Sequence, residues 1–442
     1  MKTPIAHLYL AALLLGAVGT LQAQTTAVEP RKKSVPFVIP PDINGLKTII
    51  AAPEKTKAGK GRVSISSPHP ENTPGVQNFI TRAVLWVCGV DASSGFIAAL
   101  TASFPSWDSD HDGTLAMIEI DQALADPTIK GDAAAALAVV KRLARGKTWA
   151  AIPRTTAELS QQTASVKTKG GPDITAMFAE AQKRIANARR ELFVEGAPAL
   201  TSLCQGDMGN CFSLAPLGSM LSRDPEQVKG MFKRNDDDTY EVKIGKEPVR
   251  IPAPTDAEIA LSSSSESTGL WSNVYEKAVG AARNELREPK DRVTTPLDAI
   301  ARGGSAGTML AFITGNPMER FTLKWAKDPK TTAEESESKL QELRGKLSAA
   351  FAEHRCVTTG TLKPPMPGLR SGHAYGVIGY NQTTDEIRVW DPHGDTFQPK
   401  GAPGSEAGFP RTNGICDMPL AVFVNQFAGL AFELFVNAQT GE

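Results

Sequence analysis

Cys211 follows a polar, glycine-rich turn and precedes apolar residues with helical spacing. The turn runs from Cys204 to Asn210, and the apolar positions continue to Leu221. A helix amino terminus favours a thiolate and lowers the pKa of a cysteine placed there. The amide of Gln205 could point at an oxyanion formed on Cys211. The pattern predicts Cys211 as a nucleophile and Gln205 as an oxyanion donor.

A cysteine nucleophile needs a base, and five histidines lie beyond residue 23. One falls in a proline-rich segment, one in an acidic loop and one on a helix with an apolar core face, and these are His69, His111 and His354. The remaining candidates are His373 and His393.

His373 opens an alternating apolar segment at 374–380, and a second such segment follows at 386–390. Two such segments predict an antiparallel hairpin. With a turn centred at 382–383, His373 is expected opposite Asp391 or Pro392. A buried carboxylate there would orient the imidazole and stabilise its protonated form. The alternatives are a strand histidine with satisfied hydrogen bonds and a turn-forming Asp-Pro pair.

A second motif, from Asp108 to Glu119, fits the twelve-residue EF-hand loop at every defining position. Gly113 allows the sharp turn, Ala116 would leave its position to water, and Pro105 is a departure that can shorten the entering helix. The alternative is a solvated Asp/Gly turn. We expect a calcium ion bound by Asp108, Asp110, Asp112, the Thr114 carbonyl and a bidentate Glu119.

The elements around these motifs suggest two folded units. Lys2 and the apolar run from Leu8 to Val18 predict a signal peptide at 1–23, and therefore an exported, periplasmic or extracellular protein. A Pro/Lys-rich linker or pro-segment is expected at 24–75 and a second linker at 152–172. Between them we predict a helical EF-hand-like module at 76–151, and after them a catalytic domain at 173–442.

Composition narrows the classes of function. The 442 residues are 41% hydrophobic, and 48 basic residues balance 48 acidic ones, so no nucleic acid or anionic membrane is expected as a partner. No later segment has the roughly 20 apolar residues of a membrane span. Five cysteines are too few for a disulfide scaffold, and their odd number leaves one thiol unpaired or bridged between chains.

Three stretches resemble the signature of the calpain family of cysteine peptidases, C-Q-G-x-x-G-D-C-W, then G-H-A-Y, then N-P-W-G. Here they are residues 204–212, Gly372-His-Ala-Tyr375 and Asp391-Pro-His-Gly394, and weaker similarity extends over about 195–437. The resemblance implies an α+β, papain-like core in two lobes, here preceded by the small all-α EF-hand-like module. A helical lobe would carry the nucleophile and a β-rich lobe the base, with the substrate cleft between them.

Carried over by position, the resemblance implies Cys211 as nucleophile, His373 as base and Gln205 as oxyanion donor. Asp391 replaces the family's asparagine, and its negative charge should raise the pKa of the histidine. The chain also departs from the family pattern at Asn210, Phe212, Pro216 and His393. The last replaces a tryptophan and can loosen the shield over the triad. Pro216 is compatible with a helix only if the first helical turn lies near 212–215.

Two functions from different classes follow from these observations. The first is a secreted, calcium-regulated cysteine endopeptidase acting on protein or peptide substrates. The second is an inactive calpain-like fold retained as a calcium-dependent protein-binding module, suggested by the altered segment at 391–394. A third interpretation makes Cys211 a buried structural thiol, or one bridged to Cys204. The presence of every side chain that the chemistry needs favours the peptidase.

Overall fold

The computed structural model describes residues 95–145, 155–159, 173–194, 196–265, 268–363 and 366–435. The predicted signal peptide at 1–23, the predicted linker at 24–75 and the first part of the predicted helical module, 76–94, lie outside these residues. Of the predicted linker at 152–172, the described part is 155–159, which includes a helical turn.

The first described elements are three helices, α1 (Gly95–Trp107), α2 (Met117–Ala125) and α3 (Gly131–Ala144). Pro105 lies in the last turn of α1 and does not shorten it, because the Asp108 N–H still donates to the Phe104 carbonyl at 2.9 Å. Small buried alanines at 134–136 in α3 allow α1 and α2 to pack closely against it.

Six further helices and a small antiparallel sheet follow and share one hydrophobic core with α1–α3. Phe96 of α1, for example, packs edge-on against Phe178, with ring centroids 5.8 Å apart. The helices are α4 (Ile174–Asn187), α5 (Cys211–Arg223), α6 (Pro225–Lys229), α7 (Asp256–Leu261), α8 (Trp271–Glu285) and α9 (Ala306–Thr314). The sheet contains β1 (Phe232–Arg234), β2 (Thr239–Ile244) and β3 (Glu247–Pro252), in that order.

The carboxyl-terminal part is built on a second sheet of seven antiparallel strands, in the order β4-β10-β5-β6-β7-β9-β8. Its own hydrophobic core includes side chains of α10 (Ala333–Ala352) and α11 (Leu420–Gln426). The strands are β4 (Met318–Thr322), β5 (Val357–Gly360), β6 (Ala374–Asn381), β7 (Glu386–Trp390), β8 (Arg411–Thr412), β9 (Ile415–Pro419) and β10 (Gly429–Glu433). The predicted α+β class is confirmed. No helix among the described residues is long and apolar enough to cross a bilayer.

Helix α5 packs directly against β6 and β7, and two glycines permit this approach. A Cβ on Gly218 would lie 2.2 Å from the Trp390 ring, and one on Gly376 would lie 2.9 Å from the Ala215 carbonyl oxygen. Real Cβ atoms do not come so close to other heavy atoms. The contact brings the start of α5 near the start of β6, and therefore the predicted nucleophile near the predicted base.

The predicted β6–β7 hairpin forms, but its predicted register is wrong. Asn381 pairs with Glu386 and Gly376 with Trp390, with an irregularity between Val377 and Gly379. The turn therefore spans 382–385 and is centred further along the chain than expected. Continued by one position, this register sets Tyr375, and not His373, level with Asp391.

Candidate active site

Cys211 is the first residue of α5, and Asn210 precedes it as the N-cap. The thiol therefore lies at a helix amino terminus, as the sequence predicts, where the helix dipole favours a thiolate. The helix also continues through Pro216 to Arg223. Because proline has no N–H, the carbonyl of Phe212 lacks its usual intrahelical donor. The first turn nonetheless forms, with the Leu214 N–H donating to Asn210 at 3.2 Å.

His373 stands immediately before β6 and lies between Cys211 and Asp391. Its Nε2 is 2.8 Å from Asp391 Oδ1, and the ring also interacts with the Cys211 thiol. Since Nε2 is engaged by the carboxylate, Nδ1 is the nitrogen that faces the sulfur. The imidazole reaches Asp391 diagonally across the hairpin, a distance that long side chains can span. The structure thus brings together three of the four predicted catalytic side chains.

These contacts shift all three pKa values. Burial alone would raise the pKa of Cys211, but the hydrogen bond and charge of His373 bring it below its usual value. Burial would lower the pKa of His373, but its hydrogen bonds to Asp391 and Cys211 raise it to about 9. Burial likewise opposes ionisation of Asp391, yet the contact with His373 lowers its pKa to about 2. The arrangement favours a thiolate–imidazolium pair beside an ionised aspartate at neutral pH.

The fourth predicted side chain, Gln205, is buried in the loop that precedes the nucleophile. Its Nε2 donates to the Met208 carbonyl at 2.7 Å, so the side-chain amide stabilises this loop. The second N–H of the amide can still donate to another acceptor. The backbone N–H of Gln205 donates to the Pro392 carbonyl at 2.7 Å. The loop is therefore tied to the segment that carries Asp391.

Both ends of this loop are paired with neighbouring segments. Cys204 exchanges two backbone hydrogen bonds of 2.8 Å with Ser264. Gly209 donates to Ala301 at 3.0 Å and accepts from Gly303 at 2.8 Å. These four bonds fix the backbone immediately before Cys211.

Glu276 of α8 was not identified from the sequence, although it contacts the N-cap of the nucleophile helix. It is fully buried and accepts hydrogen bonds from the Asn210 side-chain amide and, at 2.6 Å, from the Ser263 N–H. Burial raises its pKa to about 7. Glu276 lies within the range of weaker similarity at about 195–437, but no local pattern marks it, because its contact with Asn210 joins residues far apart in sequence.

His393, which stands where the family has tryptophan, lies flat against the His373 ring. The centroids are 5.1 Å apart and the planes differ by 18°. Burial, the largest influence, lowers the pKa of His393 to about 4, so the ring is neutral near pH 7. It shields one face of the base without adding a positive charge.

Cys204 and Cys211 are not bridged to each other, so the bridged alternative is not found in the described structure. The Cys204 Sγ lies 3.0 Å from the His393 carbonyl oxygen and can donate to it. Among the four described cysteines, none forms a disulfide with Cys211.

The predicted calcium ligands occupy the loop between α1 and α2. One carboxylate oxygen from each of Asp108, Asp110 and Asp112 lies within 4.8 Å of the others. Gly113 has a φ of 81°, which glycine adopts readily, and its N–H donates to Asp108 Oδ2 at 3.0 Å. Asp108 Oδ1 is buried and has no hydrogen-bond partner. An oxygen-rich cluster with an unsatisfied buried oxygen fits a hard cation.

The other two predicted ligands lie further along this loop. Glu119, in the first turn of α2, reaches back so that Oε1 accepts from the Ser109 N–H at 2.7 Å, while Oε2 accepts from Ala116 at 2.8 Å. Thr114 donates to Asp112 through both its N–H and its hydroxyl. Bidentate binding by Glu119 would require it to exchange these hydrogen bonds for the ion.

Comparison with known proteins agrees with the arrangement of Cys211, His373 and Asp391. The family model described as "Calpain family cysteine protease" matches residues 161–406, more than half of the chain. The match begins after α3 and does not include the acidic loop. Human (Homo sapiens) Calpain-9 is 28% identical over 224 residues, which cover 46% of this chain and 29% of that protein. The chain thus spans under a third of the length of this relative. It belongs to the calpain family of cysteine proteases.

Proposed function

We propose that this protein is an active cysteine endopeptidase that hydrolyses peptide bonds in protein or peptide substrates. The observation that carries the proposal is the series Cys211–His373–Asp391, in which Cys211 stands at the amino terminus of α5 and interacts with His373, and His373 is hydrogen-bonded to Asp391. The departure at Asp391 does not break this series. It therefore gives little support to the alternative of an inactive binding module.

In the proposed reaction the Cys211 sulfur attacks the scissile carbonyl carbon, and the negative charge moves to the carbonyl oxygen. The second N–H of Gln205 can donate to this oxyanion. As the C–N bond breaks, His373 gives its Nδ1 proton to the leaving amine, and a thioester remains on Cys211. Water then attacks the thioester and gives a proton to His373, which releases the acid and regenerates the thiolate–imidazolium pair. Asp391 keeps the ring oriented in both steps.

The proposal is tested by incubating purified residues 24–442 with casein and a thiol reductant, before and after treatment with iodoacetamide at pH 6–7. We expect cleavage, and its loss when one thiol, identified as Cys211 by mass spectrometry, has been alkylated. The lowered pKa of Cys211 keeps it reactive well below pH 8.5, whereas burial raises the pKa of the Cys416 thiol to about 11 and leaves it inert. Cleavage should weaken on the alkaline side near pH 9, where His373 loses its proton. Intact casein under all conditions would favour the binding-module alternative.

We also propose that residues 108–119 form an EF-hand-like calcium site and that calcium regulates the peptidase. The support is the match to the loop pattern, the clustered carboxylates and the unsatisfied Asp108 oxygen. Export after removal of residues 1–23 is proposed from the sequence alone. The division into a module at 76–151 and a catalytic domain at 173–442 remains a prediction.

Calcium binding is tested by the melting temperature of the protein with calcium, with magnesium and with EGTA. A ligand at about 100 times its Kd adds about 2.7 kcal/mol to the free energy of unfolding, so calcium should raise the melting temperature by several degrees. Glu119→Gln should abolish the shift because it removes the bidentate ligand. Asp126→Asn, which changes a carboxylate just after α2, serves as the control and should keep it. If millimolar calcium leaves the wild-type melting temperature unchanged, the acidic loop is only a solvated turn.

A further inference from the structure

Asp391 places a full negative charge where the family signature has a neutral asparagine, and the charge is completely buried. One oxygen, Oδ1, accepts from His373 Nε2 at 2.8 Å and from the His393 N–H at 3.0 Å. The other, Oδ2, has no hydrogen bond. A buried carboxylate oxygen without a partner is costly unless a positive charge lies nearby.

Two arginines provide that charge. The Arg411 and Arg370 guanidinium nitrogens each lie 3.5 Å from Asp391 Oδ2. Asp395 pairs with both arginines. Its Oδ2 lies 2.7 Å from the Arg370 guanidinium and its Oδ1 lies 2.7 Å from the Arg411 guanidinium. Arg411 is 6% exposed and also donates to the Gly368 carbonyl at 2.6 Å. Arg411 therefore lies in a fixed position, and its charge is poorly screened by solvent.

We propose that Arg411, assisted by Arg370, is a positioning residue that makes aspartate usable in place of asparagine at position 391. Its positive charge offsets the added negative charge, so that Asp391 Oδ1 orients His373 without holding its proton too tightly. Arg411 acts through Asp391 and does not touch the substrate. The inference rests on the proposed thiol chemistry, because only there does the pKa of His373 matter.

The charge of Arg411 sets how strongly Asp391 acts on the base. The titratable and charged groups around Asp391 are His373, Cys211, Tyr375, His393, Arg370 and Arg411, and Asp395 lies behind the arginines. Without the guanidinium, the carboxylate would hold the imidazolium more tightly and raise the pKa of His373 above about 9. A weaker acid protonates the leaving amine less well, so the rate should fall.

The test is a double-mutant cycle with Arg411→Gln, Asp391→Asn and the double variant. Arg411→Gln removes the contacts of Arg411 with Gly368 and Asp395 in both backgrounds. The effect of losing these contacts therefore cancels from the coupling between Arg411 and Asp391. We expect Arg411→Gln to lower kcat/KM about tenfold in the wild-type background but only about twofold in the Asp391→Asn background, a coupling of about fivefold. Arg411→Gln should also shift the alkaline limb of the pH profile to higher pH, and Asp391→Asn should shift it to lower pH.

The same four proteins are compared in a second experiment, the rate of Cys211 alkylation by iodoacetamide as a function of pH. This rate reports the ionisation of the Cys211–His373 pair and does not require peptide hydrolysis. A protein that cleaves nothing but shows the coupling in alkylation would contradict the proposed function and support this inference. Arg388→Gln, which removes an exposed arginine from its pair with Asp417, is the control and should leave both profiles unchanged.

Equal losses in the two backgrounds, with unshifted pH profiles, would reduce Arg411 to a structural role and overturn the proposal. If Arg411→Gln does not fold, Arg370→Gln and Arg411→Lys replace it. Arg370 is partly exposed, so its removal should cost little stability while shifting the alkaline limb in the same direction. Arg411→Lys keeps the positive charge, so the alkaline limb of its pH profile should lie at the same pH as in the wild type. Failure of both expectations would also overturn the proposal.

Discussion

Replacement of Cys211 by alanine is expected to lower kcat/KM for casein cleavage by at least about 10⁴-fold, as removal of a nucleophile does in other covalent proteases. The two nearby side chains that could act as nucleophiles have other contacts. Ser213, in the first turn of α5, is buried and contacts Tyr275. The Cys204 thiol faces the His393 carbonyl oxygen.

Three variants make this result specific. Cys416→Ala removes a buried thiol on β9 that takes no part in the proposed reaction, so this variant should cleave casein at the wild-type rate. Cys211→Ala should melt close to the wild-type temperature, because alanine occupies a helix amino terminus without strain. His373→Ala should lose activity to a similar extent. Cleavage that persists in both Cys211→Ala and His373→Ala would come from another protein in the preparation, whereas persistence in Cys211→Ala alone would refute Cys211 as nucleophile.

The sequence was sufficient to identify three side chains that the structure brings together, Cys211, His373 and Asp391, because they lie in short, local motifs. The glycine-rich turn before an apolar run predicts a helix that starts at Cys211, and alternation predicts the β6–β7 hairpin with its histidine and aspartate. These patterns depend on neighbours a few residues apart. The α+β class followed from the same patterns, together with the resemblance to the calpains.

The residues that support the site could not be predicted in this way. Glu276 meets Asn210 only because α8 packs behind the loop, and Arg411 meets Asp391 only because β8 is placed at the edge of the large sheet. The hairpin register also escaped prediction, because the turn is centred one residue further along the chain than expected and a bulge then changes the pairing again, and no local signal marks either feature. Contacts of this kind are set by tertiary packing, which a single sequence does not report.

Replacement of Lys141 by methionine is expected to lower the free energy of unfolding by about 3–5 kcal/mol, because it leaves buried carboxylates without their cation. Lys141, on α3, has no solvent exposure and contacts Asp121 of α2 and Asp298. Asp121 is itself only 3% exposed, and this burial raises the pKa of its carboxyl group in spite of Lys141. Asp298 is affected less, since it keeps its 2.7 Å contact with Arg145. The measurement is unfolding by urea, followed by circular dichroism.

A double variant separates the loss of charge from the loss of packing. Lys141→Met combined with Asp121→Leu removes both buried charges and should recover most of the stability, as apolar replacement of a whole pair often does. Lys339→Met removes an exposed lysine from its pair with Glu342 and should cost less than about 1 kcal/mol. A Lys141→Met protein as stable as the Lys339→Met control would mean that the buried cluster does not form in solution.

The Lys141 cluster also connects the acidic loop to the nucleophile. Asp121 lies on α2, whose first turn carries the predicted calcium ligand Glu119, and Asp298 lies three residues before Ala301, whose carbonyl accepts from the Gly209 N–H. Folded Lys141→Met protein should therefore alkylate at Cys211 more slowly than wild type, while the Lys339→Met control should not. Because α3 lies before the region matched to the calpain family, such an effect would make these helices a functional part of the protease in this chain.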